Sequence, residues 1–152
     1  MSDTTFNREK KTDRPVIALC YDFDKTLSPD DMQAQGYIQT VQPEGSDMIG
    51  DFWRESNGRA TANNMDKNLA YMYTMKKKAR GQIVFTKEKL AEYGSQVALF
   101  PGVEDWFKRI RDYGDDKGII VEHYIISSGL KEMIEGTSIA KEFKELYATS
   151  FY

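Results

Sequence analysis

The sequence predicts an α/β fold in which a parallel sheet carries an α-helical insertion between its first two strands. Residues 16–21 and 119–126 form two apolar runs of strand length. Such near-continuous runs are typical of strands buried on both faces of a parallel sheet. Helical periodicity fills most of the segment between them, which indicates an inserted helical unit rather than a simple crossover. Polar residues follow both runs directly, so the ends of the two strands predict one site.

Length and composition limit the classes of function. At 152 residues with a net charge of -3, the chain has the size of one domain and lacks the basic footprint of a nucleic-acid-binding protein. The single cysteine, Cys20, cannot form an internal disulfide, and its place in the first apolar run predicts a small core residue. The sequence has no signal-peptide region or membrane-spanning run, so we expect a cytoplasmic protein without a membrane partner. Polar residues 1–13 predict a flexible tail.

Two acids follow the first strand. Side chains alternate along a strand, so Asp22 and Asp24 should leave its carboxyl end on the same side while Phe23 points the opposite way. Ligands bind at this end of the strands in open α/β sheets. Two close carboxylates repel each other unless a cation lies between them, which favours a hard divalent metal, Mg²⁺ by default. Alternatively, the two acids end the strand as turn-forming residues.

Residues 28–99 form the predicted insertion. Residues 28–31 combine a capping serine, a proline and two acids, which is typical of a helix start. Thr86 is a second predicted helix cap. The basic run 76–80 is interpreted as a solvated helix C-terminus, where the helix dipole favours cations. Breaks between helices are predicted at three places with turn-forming residues, namely 43–45, 57–58 and 81.

The second apolar run ends in small hydroxyl residues. Ser127, Ser128 and Gly129 follow it, and a helix is predicted to begin at once with Leu130. Free backbone N–H groups at a helix N-terminus, beside a hydroxyl, form an anion site that suits a phosphate. Ser127 fits the hydroxyl position better because it directly ends the strand, with Ser128 as the alternative. In another interpretation these residues only cap the helix.

Other polar residues of this half are expected to be structural. His123, the only histidine, lies four residues before the strand end, which places it about 13 Å away at roughly 3.3 Å per residue. The acids at 115–116 precede the second strand, so we assign them to a turn at the opposite end of the sheet. A helix is predicted over residues 103–114, and a third strand over residues 148–152.

The string at residues 22–26, Asp-Phe-Asp-Lys-Thr after an apolar strand, resembles the first motif of the haloacid dehalogenase (HAD) superfamily, hhhhDxDxT. The resemblance implies a Rossmann-like core and a phosphohydrolase in which Asp22 is a nucleophile that becomes an aspartyl phosphate. It implies that Asp24 is a general acid and base, that Asp22 and Asp24 hold Mg²⁺, and that Thr26 supports the turn at the phosphate. A dehalogenase has no leaving alkoxide to protonate, so Asp24 favours phosphoryl transfer.

The string at the end of the second strand resembles the second motif of the same family, a hydrophobic strand that ends in Ser or Thr. The glycine after it, and the helical insertion after the first motif, are similar to the phosphoserine-phosphatase-like branch, in which a mobile cap covers the site. The resemblance implies that Ser127 or Ser128, with Gly129, binds the phosphate of a small phosphorylated metabolite. It implies a core of residues 14–27 and 100–152 and a cap of residues 28–99.

The sequence departs from the family pattern after the second motif. A third motif, which is a lysine, and a fourth, which is an acidic pair, are not matched, because Lys141 and Lys144 come too soon after Ser127. The resemblance therefore implies the N-terminal part of a HAD core, in a truncated chain of low activity and weak Mg²⁺ affinity. It also implies an open edge on the first strand, through which we expect pairing with another copy or with a missing piece.

Two classes of function remain. The first is a magnesium-dependent phosphohydrolase that acts on a small phosphomonoester, although a phosphomutase would use the same residues. The second is a non-catalytic remnant or an interaction module. The intact set of Asp22, Asp24 and Thr26 favours the enzyme, since a binding module has no use for two repelling carboxylates.

Overall fold

A computed structural model describes residues 13–45 and 47–152 of the chain. The strands are β1 (Val16–Tyr21), β2 (Ile120–Leu130) and β3 (Glu145–Thr149). The helices are α1 (Tyr37–Val41), α2 (Met48–Ala62), α3 (Lys67–Ala79), α4 (Lys87–Gly94), α5 (Val103–Asp116) and α6 (Lys131–Glu135), with short 3-10 turns at Met32–Ala34 and Ala140–Glu142. None of the described helices is long and apolar enough to cross a membrane. All of the predicted tail except Asp13 lies outside the described residues.

The three strands form one parallel sheet in the order β1-β2-β3. β1 pairs with β2 in an unbroken register, from Val16 opposite Ile120 to Tyr21 opposite Ile125. Because parallel strands run in the same direction, the residues that follow β1 and β2 meet at the same edge of the sheet. The predicted α/β class, a parallel sheet with a helical insertion after its first strand, is confirmed.

The prediction that β1 is buried on both faces is wrong. Val16 is 46% exposed, and Cys20, the predicted core cysteine, is exposed as well. Among the described strands β1 pairs only with β2, so it has the open edge expected for the first strand. Helix α5 covers one face of the sheet, where Phe107 is fully buried. The face that carries Cys20 is open in the described part of the chain, and Ile126 and Tyr147 are also exposed there.

The described residues of the insertion form four α-helices. The predicted breaks at 43–45 and 81 do lie between helices. The third predicted break is wrong, because α2 continues through Gly58. A glycine inside a helix costs only about 1 kcal/mol, and Gly58 has open space around it. The actual break precedes Asp66, whose carboxylate caps α3 by accepting from the backbone N–H groups of residues 68 and 69.

The predicted helix start at residues 28–31 is also wrong. The chain leaves β1 through a tight turn in which the N–H groups of residues 26–28 donate to the carbonyl oxygen of Phe23 at 2.9 to 3.2 Å. Ser28 is fully buried, and its hydroxyl accepts a hydrogen bond from the Gln35 side chain at 2.8 Å instead of capping a helix. Residues 28–31 therefore do not start a helix, because the chain here forms a turn that is closed by hydrogen bonds to the carbonyl oxygen of Phe23.

Helices α2 and α3 pack against each other and share ion pairs. Lys77 and Lys78, from the basic run at the end of α3, lie 3.3 and 2.7 Å from the carboxylate of Glu55 on α2. The run therefore joins the two helices as well as facing solvent, which goes beyond the expected solvated helix end.

Helix α4 packs against α6 at two glycines. A Cβ on Gly94 would lie 1.8 Å from the carbonyl oxygen of Met133, and one on Gly136 would lie 1.9 Å from that of Ala91. The two helices therefore approach each other backbone to backbone, which glycine alone permits. At the other end of α4, Thr86 is the predicted cap, and its hydroxyl accepts from a backbone N–H at 3.2 Å.

The outgoing and returning connections of the insertion lie side by side. The N–H of Phe100 donates to the carbonyl oxygen of Leu27 at 2.9 Å. The side-chain oxygen of Gln35 accepts from the N–H of Ala98, also at 2.9 Å. Both hydrogen bonds tie the return of the chain to the turn that follows β1.

Element ends in the second half differ modestly from the predictions. Helix α5 continues to Asp116, and β3 begins at Glu145 rather than at 148. Asp115 lies 2.6 Å from Arg14, just before β1, so the acids at 115–116 lie at the amino end of the sheet as predicted. They are the last residues of α5, however, and not part of a separate turn.

We propose that the open edge of β1 pairs with a strand of another copy, because unpaired N–H and C=O groups on an edge strand are a template for association. We expect the chain to self-associate as its concentration rises. A Val16→Lys substitution should weaken this association at least about tenfold, since a charge on an edge strand opposes pairing. Light scattering over a concentration series measures the effect.

The matched control is Val84→Lys, because Val84 is 77% exposed and lies outside the sheet. It should leave the association unchanged. A wild-type chain that remains monomeric at high concentration would contradict the proposal.

Candidate functional site

The turn after β1 holds its two carboxylates in different environments. Asp22 is exposed, and its Oδ1 accepts from the N–H of Phe23 at 2.8 Å. Phe23 is fully buried, and Asp24 is half-buried. Lys25 adopts a left-handed conformation, with φ at 60°, which lets the chain reverse immediately after Asp24. Burial thus alternates along the three residues as predicted, with the two acids more exposed than the phenylalanine between them.

Asp24 is the more buried acid and is held by the backbone. Its Oδ1 accepts from the N–H of Met32 at 2.9 Å. Burial raises the pKa of Asp24 to about 7; the Met32 hydrogen bond opposes this rise, and the charges of Asp31 and Asp22 add to it. A carboxyl group with this pKa populates both protonation states near neutral pH, so it can give and accept a proton.

The end of β2 leads directly into a helix, as predicted: Leu130 is the N-cap of α6, which has five residues. β2 itself extends to Leu130, which pairs with Thr149 of β3, but the pairing with β3 is irregular between Ile126 and Leu130, where the two serines and Gly129 lie. The N–H of Gly129 donates to the hydroxyl of Ser127 at 3.0 Å, and that of Leu130 donates to the sulfur of Met32 at 3.3 Å. The N–H groups of Gly129 and Leu130 are therefore paired within the protein, and the first turn of α6 begins one residue later, at Lys131.

A cleft of about 260 Å³ lies between the sheet edge and helices α2 and α3. Asp24 and Ser128 line it from the sheet side. The Tyr71 hydroxyl, on α3, donates to the carbonyl oxygen of Ser128 at 2.7 Å and lies 2.6 Å from the hydroxyl of Thr149. Tyr71 also lines the cleft, and the remaining lining residues come from the insertion: Asp31, Gln33, Trp53, Ser56, Asn57, Lys67 and Asn68.

The cleft includes only part of the predicted site. Asp24 and Ser128 line it, and Ser128 is the alternative to the preferred Ser127. Thr26 is exposed, and its hydroxyl makes no hydrogen bond with any described residue. The turn is held by backbone N–H groups that donate to the carbonyl oxygen of Phe23, and not by the Thr26 side chain. Four predicted site residues are not among the lining residues: Asp22, Thr26, Ser127 and Gly129.

Sequence reasoning missed the part of the lining that the insertion supplies. Residues 53, 56 and 57 of α2 and residues 67, 68 and 71 of α3 line the cleft, so each helix contributes one face at the spacing of a helical turn. The rings of Trp53 and Tyr71 also contact each other, with centroids 6.2 Å apart. Polar residues at this spacing, beside an aromatic residue on each helix, are the signal that identifies this face.

The donor set for a divalent cation is small. Among residues 13–45 and 47–152, no group of three or more His, Cys, Asp or Glu side chains could hold a metal ion. Asp22 and Asp24 supply hard oxygen ligands from one turn. Mg²⁺ is commonly held by one or two carboxylates together with substrate phosphate and water. The described residues therefore form no closed cage for a metal ion, and a cation at this turn would need further ligands from substrate and water.

His123 and the later lysines lie away from the cleft. His123 is 1% exposed, and its Nδ1 lies 3.0 Å from the hydroxyl of Tyr21. Burial lowers the pKa of His123, so the imidazole is neutral at pH 7. Lys144 pairs with Glu122 at 2.6 Å, and neither Lys144 nor Lys141 lines the cleft.

No protein-family model matches the sequence. Among curated proteins, an uncharacterized protein from Borreliella burgdorferi is 27% identical over 148 residues. The match covers 90% of this chain and 50% of that protein, so the chain spans about half the length of the curated relative that it matches.

Similar solved structures include an L-2-haloacid dehalogenase from Xanthobacter autotrophicus, with a TM-score of 0.47 and 15% identity over 88% of this chain and 56% of that chain. A predicted phosphoglycolate phosphatase from Haemophilus somnus 129PT has a TM-score of 0.43 and 12% identity, over 89% of this chain and 62% of that chain. A likeness at this level assigns no activity to this chain.

The raised pKa of Asp24 predicts a pH-dependent stability. Between its ordinary value near 4 and about 7, the folded state holds a proton that the unfolded state has lost, so stability falls as pH rises through this window. Replacing the carboxylate in Asp24→Asn removes this dependence. Relative to wild type, the variant should gain about 2 to 4 kcal/mol between pH 5 and pH 8.

Urea unfolding at both pH values measures this difference. Asp22→Asn, which removes the exposed carboxylate of the same turn, is the control and should show a much smaller change. An equal stability difference between wild type and Asp24→Asn at the two pH values would show that burial of Asp24 has no such effect.

The contact of Tyr71 with the sheet edge predicts a loss of stability in Tyr71→Phe. The substitution removes the hydroxyl that meets Ser128 and Thr149, and should lower the free energy of unfolding by about 1 to 2 kcal/mol. Tyr73→Phe, at a 53% exposed position on the same helix, is the matched control and should be neutral. Urea unfolding measures both, and equal values for the two variants would contradict the expectation.

Proposed function

We propose that the chain carries the catalytic turn of a magnesium-dependent phosphohydrolase that acts on a small phosphomonoester. The observation that carries the proposal is the environment of Asp24. This acid lies in the turn after β1, has a pKa of about 7, and lines one cleft with Ser128 from the end of β2. The resemblance of residues 22–26 to the first HAD motif supports the same chemistry.

In the first step, the carboxylate of Asp22 attacks phosphorus, and the bond between phosphorus and the ester oxygen breaks. Asp22 is suited to this role because it is exposed and one of its oxygens is fixed by the N–H of Phe23. The protonated carboxyl of Asp24 gives its proton to the departing oxygen, which leaves as an alcohol. The phosphoryl group remains on Asp22 as an acyl phosphate.

In the second step, a water molecule attacks phosphorus, and the bond to the oxygen of Asp22 breaks. Asp24, now ionised, takes the proton from the water, which restores both carboxyl groups to their starting states. Inorganic phosphate is released. One group with a pKa near 7 can serve as acid and then as base without an external proton carrier.

The phosphate requires neutralising and orienting groups. Mg²⁺ held by the carboxylate of Asp22 would supply positive charge to the phosphate oxygens, and the side chain of Asp24 is kept for proton transfer. On the sheet edge, the hydroxyls of Ser128 and Ser127 and the turn at Thr26 are the candidate phosphate contacts, with Ser128 favoured because it lines the cleft. Lys67 is the only basic side chain of the described lining, so we propose a low turnover for this chain.

A role in binding is the second candidate. The observation that favours it is the open edge of β1, with an exposed apolar sheet face beside it.

The chain spans about half of the relative that it matches, so the activity proposed here concerns the region that contains the catalytic turn. Transfer of the phosphoryl group to a second hydroxyl, as in a phosphomutase, would use the same residues with a different acceptor.

Hydrolysis of p-nitrophenyl phosphate tests the proposed function. We expect activity that requires Mg²⁺, is abolished by EDTA, and falls at least about 1,000-fold in Asp22→Asn because the nucleophile is lost. Asp24→Asn should lower hydrolysis of an alkyl phosphate by about 100-fold or more. It should affect p-nitrophenyl phosphate less, because p-nitrophenolate leaves without a proton.

Asp116→Asn is the control, since Asp116 is exposed at the last residue of α5, at the end of the sheet opposite the turn. It should leave the activity unchanged. Hydrolysis that survives in Asp22→Asn, or that is absent from the wild-type chain, would contradict the proposed function.

A further inference from the structure

Two buried polar side chains of the cleft have no partner in the described part of the protein. Gln33 and Ser56 are each only 2% exposed, and both line the cleft. Neither side chain makes a hydrogen bond with a described residue. Their polar atoms do not belong to the fully buried atoms without a partner, so these atoms are accessible from the cleft and can pair with water or with a ligand. These two groups are therefore suited to a polar ligand in the cleft.

The neighbouring lining residues have the same chemistry. Asn57 on α2 and Asn68 on α3 add two more amide side chains, which also have no hydrogen-bond partner among the described residues. Amides and hydroxyls both donate and accept, as ligand hydroxyl groups do. The ring of Trp53, beside that of Tyr71, adds an apolar surface to this polar set.

The charges of the lining favour a ligand with no second ionised group. Lys67 is the only basic side chain among the described lining residues, and a phosphate would use its charge. Asp31 is occupied by Lys25, at 3.3 Å. A carboxylate on the ligand would thus meet amides and acids but no free cation, whereas neutral hydroxyl groups would meet matching partners.

We propose that the side of the cleft formed by Gln33, Ser56, Asn57 and Asn68 binds the uncharged, hydroxyl-rich part of a phosphorylated sugar or polyol. The phosphate then lies toward Asp24 and Ser128. This assignment rests on the proposed function, since it places the phosphate at the catalytic turn. It names the substrate class of that site: a sugar or polyol phosphate rather than a phosphorylated amino acid or hydroxy acid.

Calorimetric titration of the chain with glucose 6-phosphate, phosphoserine and inorganic phosphate, each with Mg²⁺, tests the proposal. The titrations use Asp22→Asn as background, so that no ligand is consumed. Glucose 6-phosphate should bind at least about tenfold more tightly than phosphoserine or inorganic phosphate. Adding Gln33→Leu should weaken its binding about tenfold, because the amide partner is lost, and should leave phosphate binding unchanged.

Gln82→Leu is the matched control, since Gln82 is exposed and lies outside this cleft. It should change none of the affinities. Asn68→Leu is a second variant of the same surface and gives the result if Gln33→Leu fails to fold, which a thermal melt reveals.

Several results overturn the proposal. If glucose 6-phosphate binds no better than inorganic phosphate, or if phosphoserine binds better, the cleft has no polyol subsite. Equal weakening of both ligands by Gln33→Leu has the same meaning. The proposed hydrolase survives these results if Asp22-dependent hydrolysis of p-nitrophenyl phosphate is present. It fails together with the substrate class if no phosphate ligand binds and no hydrolysis occurs.

Discussion

The parallel pairing of β1 with β2 is the constraint on which the rest of the molecule depends. Six consecutive residue pairs fix the register, from Val16 to Tyr21, although the whole helical insertion lies between the two strands in sequence. Because the pairing is parallel, Asp22 and Ser127 begin the two polar strings at the same edge of the sheet. An antiparallel pairing would place these strings at opposite ends, and no arrangement of the insertion could then bring them together.

Met32 connects the two strand ends through its backbone N–H and through its side chain. The N–H of Met32 donates to Asp24, and the sulfur of Met32 accepts from the N–H of Leu130. A Cβ on Gly129 would lie 2.3 Å from the terminal methyl group of Met32, so the glycine makes room for this contact. One residue thus contacts the turn after β1 and the end of β2. Its hydrogen bond to Asp24 opposes the rise in the pKa of that acid, so burial sets the direction of the shift and Met32 limits its size.

Patterns local in sequence predicted the strands, the order of motifs and the position of the insertion. The acids at 22 and 24 and the fully buried Phe23 follow from the alternation of a strand, which depends on neighbouring residues alone. The errors arise where distant residues decide. Cys20 is exposed because no described element covers its face of the sheet, and Ser127 lies within β2 because Leu130 still pairs with β3. The lining from α2 and α3 depends on how two helices pack over the sheet, which periodicity cannot specify.

Helices α2 and α3 meet the sheet edge beside the cleft through few polar contacts, whereas α4 of the same insertion packs closely against α6, and this difference bears on access to Asp24. Its two connections are joined beside β1 by the hydrogen bond from Phe100 to Leu27 and by Gln35. Over the cleft, α3 reaches the sheet edge through the hydroxyl of Tyr71. Burial raises the pKa of Tyr71 to about 12, so this hydroxyl remains a donor at any physiological pH. The proposed ligand-recognition residues therefore lie mostly on α2 and α3, whereas the proposed reacting groups lie at the sheet edge, in the turn after β1. A ligand that contacts both would strengthen the junction beside the cleft, since binding adds contacts between the sheet edge and helices α2 and α3.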